Sequence, residues 1–370
     1  MRHSSFLEVN LSLMGQNFQQ IKSLAPKAEI LPMVKSDAYG NGMIPVSQFL
    51  VNECGVKKLG CATLGEGLKL FDECPQLNAE ALIFSDSELL NEKAREAYLH
   101  YNMTPVIHRK CDLEVMLKLP EMKKIPLVLK MNTGMNRLGL LKEDLEEYLP
   151  MLKERGIEHL ITHFSRSAQT IKPGDKCHKQ TQEFDDLKSM FKSQGIEVRS
   201  TSIANSGAIE QGYGVNETFV RPGLMLYGPP SVLDEVVWKG KVVSRLVTKV
   251  ISTYSVKKGT PVGYGVNVAD KDAFMVAVAL GYGDGILTFL SGTKINMKGH
   301  VGKLFGRINM DVTLIQFDPE AESSFHPEDQ VEIWNHEGEV ITDIAVQSKT
   351  HAYQLMCAVS SRIPRIYKVK

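Results

Sequence analysis

The chain lacks any excess of charge: 43 Lys and Arg stand against 43 Asp and Glu in 370 residues. A nucleic-acid-binding protein usually carries a basic surplus, so that class is disfavoured. Long apolar runs are also missing. The longest stretch free of charge, Ala38 to Asn52, is 15 residues and contains Gly40, Asn41, Gly42, Pro45 and Gln48, so it reads as no membrane span. Cysteines are few, at 54, 61, 74, 111, 177 and 357, and no two are spaced C-x-x-C. That excludes a disulfide scaffold and leaves reduced, mostly buried thiols as the expectation. No HExxH, no Cys/His cluster and no paired-carboxylate signature calls for a metal. Residues 1–9 enter patterned sequence without an apolar leader core, which makes the cytoplasm the default compartment.

What is present is alternation. Eight short runs, apolar or β-branched, occupy Glu29–Val34, Lys58–Thr63, Glu80–Phe84, Met103–Ile107, Ile125–Met131, Glu158–His163, Glu197–Ile203 and Thr218–Leu226. Amphipathic stretches lie between them, among them Ser87–His100, Lys142–Arg155 and Cys177–Gln194, the first with Ser87 as candidate N-cap. Strands alternating with helices imply βαβ units and a parallel sheet. Eight units within residues 1–230 predict a closed (β/α)8 TIM-type barrel; the alternative, an open doubly wound sheet, ordinarily takes fewer strands. After Gly228-Pro229-Pro230 the texture changes. Val242–Tyr254, Phe274–Leu280, Lys294–Met297, Val312–Phe317 and Gln330–Trp334 read as strands, with a helical pattern only at Thr342–Ser348. Residues 231–370 therefore form a second, mostly β domain.

Barrel chemistry sits at the carboxyl ends of the strands. There the sequence places Lys35, Asn132 to Arg137, His163, Asn205 with Ser206, and Arg221 to Gly223. Each has a bland reading as a surface charge, a structural histidine or a turn. Gly281-Tyr282-Gly283-Asp284-Gly285 likewise reads as a turn, since it lacks the strand–helix context of a nucleotide loop. Convergence on one mouth lifts the set above chance. Ser206 with the amides of Gly207 and Gly223 suits a phosphate, and Tyr39 adds a hydroxyl. Lys35 closes a buried-looking strand, where desolvation frees the amine as a nucleophile. A Schiff-base lysine beside a phosphate cradle points to pyridoxal phosphate.

Val34-Lys35-Ser36-Asp37-Ala38-Tyr39-Gly40-Asn41-Gly42 resembles the cofactor-lysine motif of the alanine racemases. Leu129 to Gly139, Thr162-His163-Phe164, Asn205-Ser206, Arg221-Pro222-Gly223, Gly263-Tyr264-Gly265, Gly281 to Gly285, Gly306 to Asp311 and Arg362 to Arg365 continue the likeness in order along the whole chain. The resemblance implies a barrel plus a β domain, a head-to-tail homodimer, and two-base racemisation of alanine to supply D-alanine for peptidoglycan. It implies that Lys35 carries the cofactor and is one acid/base, and that Tyr264 from the partner's second domain is the other. An ordinary phenol, with a pKa of about 10, needs cationic neighbours to act as a base near neutrality. The resemblance puts Arg221 opposite the pyridine nitrogen, with His163 nearby. Arg137 is similar to the residue contacting cofactor and substrate carboxylate, and Met310 binds that carboxylate through its amide. Tyr39, Asn205, Ser206, Gly223, Leu224 and Tyr353 look like the cofactor and phosphate shell. Tyr282 and Asp311 match access-channel positions, and Lys130 a lysine carbamylated in some relatives.

Departures accompany the likeness. Asn132 replaces the usual Asp, Asn136 stands where Gly is common, Asn309 where Cys is frequent, and Ser165-Arg166-Ser167 breaks the usual pattern after His-Phe. Asn132 and Asn136 change polarity near Arg137 and bear on strict alanine specificity. The alternatives are a racemase for serine, lysine or several amino acids, a basic-amino-acid decarboxylase of the same architecture, or a non-catalytic cofactor-binding barrel. The decarboxylase signature is absent, and the non-catalytic chains usually end after the barrel.

Overall fold

The computed structural model describes residues 4–369. Eight parallel strands make the first sheet: β2 (Glu29–Ile30), β3 (Lys58–Thr63), β4 (Glu80–Asp86), β5 (Met103–Ile107), β6 (Val128–Lys130), β7 (His159–Ile161), β8 (Thr201–Asn205) and β9 (Phe219–Arg221). Their order is β2-β9-β8-β7-β6-β5-β4-β3. The ring closes just beyond β2: the Gly60 N–H donates to the Pro32 carbonyl and the Val34 N–H to the Gly60 carbonyl, both at 2.9 Å, and Met33 bridges Gly60. The expected barrel is therefore present, its strands lined with fully buried Leu59, Ile83, Val106, Leu129, Leu160 and Val220.

The second sheet contains β1 (Phe6–Asn10) and the strands after the barrel: β10 (Ser244–Val256), β11 (Ala273–Val278), β12 (Lys294–Met297), β13 (His300–Phe305), β14 (Thr313–Phe317), β15 (Gln330–Trp334) and β16 (Arg365–Lys368). The first strand thus pairs outside the barrel, antiparallel to β10 and parallel to β16. Glu8, only 5% exposed, locks that junction. Its carboxylate meets Arg245 at 2.9 Å and Lys368 at 2.5 Å. Burial, the largest single influence, raises the Glu8 carboxyl, but the hydrogen bonds and charges of Arg245 and Lys368 together outweigh it and hold the group below its usual range. The opening residues thereby tie the start of the barrel to both ends of the second domain.

Several boundaries differ from the sequence patterning for local reasons. Ser87 caps no helix: Glu88 has a φ of 52°, and the helix begins at Glu92 behind Asn91, whose side chain accepts the Lys93 amide at 3.0 Å. The stretch 142–155 divides into a 3-10 turn, Glu143–Tyr148, and a helix, Leu149–Arg155, with Pro150 in its first turn. The helix Lys176–Ser193 starts behind Asp175, whose side chain accepts from His178. The helix near 342 runs Gly338–Gln347, and a second one follows at Ala352–Ala358. Gly281 to Gly285 forms a single 3-10 turn, as expected of a simple turn. All six cysteines are unpaired; Cys61, Cys74 and Cys177 are buried, whereas Cys357 is exposed. No helix is long and apolar enough to cross a membrane among the described residues.

Candidate active site

Immediately after the first barrel strand the backbone turns the wrong way for L-residues. Ser36, Asp37, Ala38 and Tyr39 have φ of 52°, 53°, 54° and 55°, a left-handed turn starting at Lys35. Such residues cost roughly 1–2 kcal/mol each, so outside contacts must hold the run. Asp37 Oδ1 accepts the Met43 amide at 2.9 Å, and the Asn41 side-chain amide donates to the Ala38 and Tyr39 carbonyls at 2.9 and 3.1 Å. Arg365 donates to the Gly40 carbonyl at 3.1 Å, and the Tyr367 hydroxyl to the Asn41 carbonyl at 3.1 Å. The C-terminal strand therefore braces the loop that presents Lys35.

Lys35 opens into a cavity of about 200 Å³ at the barrel mouth. Tyr39, Lys130, Arg137, His163, Asn205, Ser206, Arg221, Gly223 and Tyr353 line it as well. Nine residues foreseen from sequence thus meet around one amine. Met33, Phe84 and Ser85 also line it and were not foreseen; Phe84 and Ser85 close a barrel strand, so the strand-end rule was signal enough. Leu224 is buried but lines an adjacent, more apolar cleft shared with Tyr353.

The electrostatics are one-sided. Lys35, Lys130, Arg137 and Arg221 line the cavity, and no carboxylate does. Burial and then the Arg137 charge hold the Lys35 amine below its usual range. Burial, followed by Arg221, Arg137 and Lys35, pushes Lys130 down to about 8. Arg221, 3% exposed, pairs with no carboxylate among the described residues. Its guanidinium donates instead to Ser202 Oγ, to the Thr162 carbonyl at 2.5 Å and to the Ile203 carbonyl at 3.2 Å. His163 Nδ1 lies 3.4 Å from it, and burial and that cation hold the imidazole well below its ordinary range, hence neutral. Burial pushes the Tyr39 and Tyr353 phenols up, so both remain O–H donors.

The cradle side is tightly shaped. The Gly223 amide donates to Ser206 Oγ at 2.9 Å, and a Cβ at Gly223 would sit 2.4 Å from the Tyr39 hydroxyl. Asn205 Oδ1 accepts the Ala208 amide at 3.2 Å and the Ser167 hydroxyl at 2.6 Å, which aims its amide at His163 Nε2, 3.3 Å away. Two departures in the arginine loop have a backbone reason. Asn136 has a φ of 58°, where Gly or Asn is tolerated. Asn132 Oδ1 accepts the Gly134 and Asn136 amides at 3.1 and 3.0 Å, and its Nδ2 donates to Asn136 Oδ1 at 2.9 Å. Both shape the turn before Arg137, and neither lines the cavity.

Tyr264, Tyr282, Met310 and Asp311 are elsewhere. With Arg307 to Asn309 and Val312 they line a shallow hollow of about 410 Å³ on the second domain. Tyr264 is 68% exposed and Met310 52%. Asp311 pairs with Arg362 at 2.9 Å. Within one chain, then, the candidate residues form two separate groups, an enclosed cationic cavity and an open aromatic hollow. Among the described residues no group of His, Cys, Asp and Glu could hold a metal.

Residues 9–230 match the family description "Alanine racemase, N-terminal domain" and residues 243–367 "Alanine racemase, C-terminal domain". An alanine racemase of Carboxydothermus hydrogenoformans is 33% identical over 97% of this chain and 98% of its own. The solved alanine racemase of Acinetobacter baumannii superposes with a TM-score of 0.85 at 26% identity, covering 99% of this chain and all of that one. The fold is also that of the Bartonella henselae alanine racemase, solved with covalently bound pyridoxal phosphate, at a TM-score of 0.85 and 21% identity over 99% of this chain and 100% of that one. The chain belongs to the alanine racemase family.

Proposed function

We propose that the protein is a pyridoxal 5'-phosphate-dependent alanine racemase, working in the cytoplasm as a head-to-tail homodimer and supplying D-alanine for peptidoglycan. The observation that carries this reading is the desolvated Lys35 amine in a cavity lined by four cations and no carboxylate. The residues fit the cofactor: an amine for its aldehyde, a glycine-walled cradle for its phosphate, and a buried arginine for its ring nitrogen. When bound, the cofactor supplies an aldehyde for amine exchange and a conjugated ring that withdraws electrons from the α-carbon.

The hydroxyls of Tyr39, Ser206 and Tyr353 would hold the phosphate, with Gly223 and Leu224 shaping the wall behind Ser206, whose Oγ accepts the Gly223 amide. Arg221 presents a cation to the ring nitrogen. Two adjacent positive charges are unfavourable, so a cation at this position would disfavour protonation of a ring nitrogen placed against it. Asn205 and His163 order the same wall. Arg137 and the amide of Met310 of the partner subunit take the substrate carboxylate. Racemisation needs a proton carrier on each face of the flattened α-carbon, because a single base tends to return the proton where it was. Lys35 Nζ serves one face and the partner subunit's Tyr264 the other. A phenol docked over the cavity near the Arg221 cation would be favoured as the phenolate. Tyr282 of the partner subunit and the partner's Asp311 border the access channel. Lys130, held near 8 by burial and its cationic neighbours, matches a position carbamylated in some relatives; in its neutral form such an amine can add CO2 with release of a proton, which would give Arg137 an anionic neighbour.

The test is a panel of L-amino acids incubated with the protein, with and without added cofactor, and D-products read by chiral chromatography. The expected result is cofactor-dependent D-alanine, with larger side chains turned over less. D-serine or D-lysine formed as fast as D-alanine would replace alanine with a broader substrate range, and CO2 release without D-product would favour the decarboxylase.

A further inference from the structure

The left-handed run after Lys35 is braced unevenly. Asp37, Asn41, Arg365 and Tyr367 hold its far end, from residue 37 onward. At the near end, next to the amine-bearing residue, the Ser36 amide donates to Glu66 Oε1 at 2.7 Å. The other carboxylate oxygen accepts the Ala62 amide at 2.6 Å, at the end of β3. Glu66 lies in the first turn of the helix Leu64–Glu73, capped by Thr63, whose hydroxyl accepts the Glu66 amide at 3.2 Å. In the usual capping box the glutamate reaches back to the amide of the cap residue itself. Here it reaches past Thr63 to Ala62 and across to Ser36, so one side chain joins a barrel strand, a helix start and the lysine loop.

We propose that Glu66 is a positioning residue for Lys35: its carboxylate, bridging the Ser36 and Ala62 amides, fixes the start of the left-handed turn that aims the amine. The inference deepens the reading of Lys35 as the working amine and rests on it. Cationic or polar groups facing the amine are Arg137, Lys130 and His163 from the barrel mouth and Cys357 from the helix Ala352–Ala358. Glu66 is the carboxylate that acts on Lys35 in the direction opposite to Arg137. Cys357 acts on Lys35 in the same direction as Glu66, so neutralising Glu66 weakens the opposition to Arg137 and lowers the pH at which Lys35 gives up its proton. A group that merely supported the fold would not move that pH.

The experiment is amine-selective acylation of the full chain freed of cofactor, followed at the Lys35 peptide by mass spectrometry across pH. Glu66→Gln is expected to lower the midpoint by about 0.5–1 pH unit. Glu66→Asp, which keeps the charge, should hold the wild-type midpoint, and it serves if the glutamine variant fails to fold. In the holoenzyme Glu66→Gln should lower kcat about tenfold with little change in KM, as a misaimed amine requires. Amide exchange of the wild-type protein gives an independent check: the Ser36 amide should exchange slowly. A midpoint unmoved or raised in folded Glu66→Gln, or Ser36 exchanging as in a free peptide, overturns the proposal. Normal acylation of Lys35 and the expected midpoint shift, in a protein that makes no D-amino acid, would sink the functional reading and leave the positioning role standing.

Discussion

The barrel-mouth cavity and the second-domain hollow differ in almost every physical respect. The first is recessed between strand ends fixed by the barrel and holds two buried cations, Lys130 and Arg221, beside the half-buried Lys35 and the exposed Arg137. The second is shallower and aromatic, with Tyr264 68% accessible. Buried cations with no carboxylate among the described lining residues are costly in themselves and make sense as a waiting place for an anion. An exposed tyrosine beside an exposed methionine makes sense as a surface that something else covers. Each region lacks what the other has, and that complementarity is the physical ground on which a site shared between two copies is proposed.

The comparison breaks most visibly at its buried side. Lys35→Ala should abolish racemisation, a loss of at least about a thousandfold in kcat, without unfolding the barrel. Residual turnover near the wild-type level in the chiral assay would remove Lys35 from the chemistry. On the open side, Tyr264→Phe should slow α-proton exchange from one enantiomer by about 10²–10⁴-fold and from the other far less. Solvent deuterium incorporation measured separately from L- and D-alanine reads this, and equal losses would end the one-face role. Because Tyr264 is exposed, the same change should leave thermal stability within about 0.5 kcal/mol.

A smaller effect concerns the cost of the cations. Lys130 drops from the ordinary lysine range to about 8 in the folded chain. The unfolded chain therefore binds more protons between about pH 8 and the usual lysine range, and stability through this group rises with pH across that window. Below about 8 the buried charge is a standing penalty. Lys130→Met should accordingly stabilise the cofactor-free protein by about 2–4 kcal/mol at pH 7 in bicarbonate-free buffer, with the gain shrinking as pH climbs above 8. Denaturant melts at pH 7 and 9.5 check both sign and window.

Much of the barrel was legible because period and strand-end rules are local. Lys58–Thr63 and Met103–Ile107 run as the patterning predicts. What escaped depends on partners far along the chain. Phe6–Asn10 is a plain strand by pattern, but its place beside Ser244–Val256 is set by pairing more than 200 residues away. His300–Phe305, with Gly302 and Lys303 inside it, has too little β-branched character to stand out, and the alternating charges of Arg365–Lys368 hide an edge strand. In the site, the residue types at strand ends disclosed the cation set, whereas the left-handed turn of Ser36–Tyr39 contradicts every local propensity and exists because of its braces. Thr63 and Glu66 carry a capping signature, which marks a helix start but not the reach to Ser36. The role of Tyr264 came through family likeness, since nothing in a single chain brings it to Lys35.

The most direct test of that shared site is complementation. Lys35→Ala and Tyr264→Phe subunits, each inactive alone, are mixed, allowed to exchange, and assayed for D-alanine. A heterodimer of the two holds one site with both wild-type residues, so random reassociation should restore about a quarter of wild-type activity. No recovery, with heterodimers verified by native mass spectrometry, would contradict an amine and a phenol brought together from different copies.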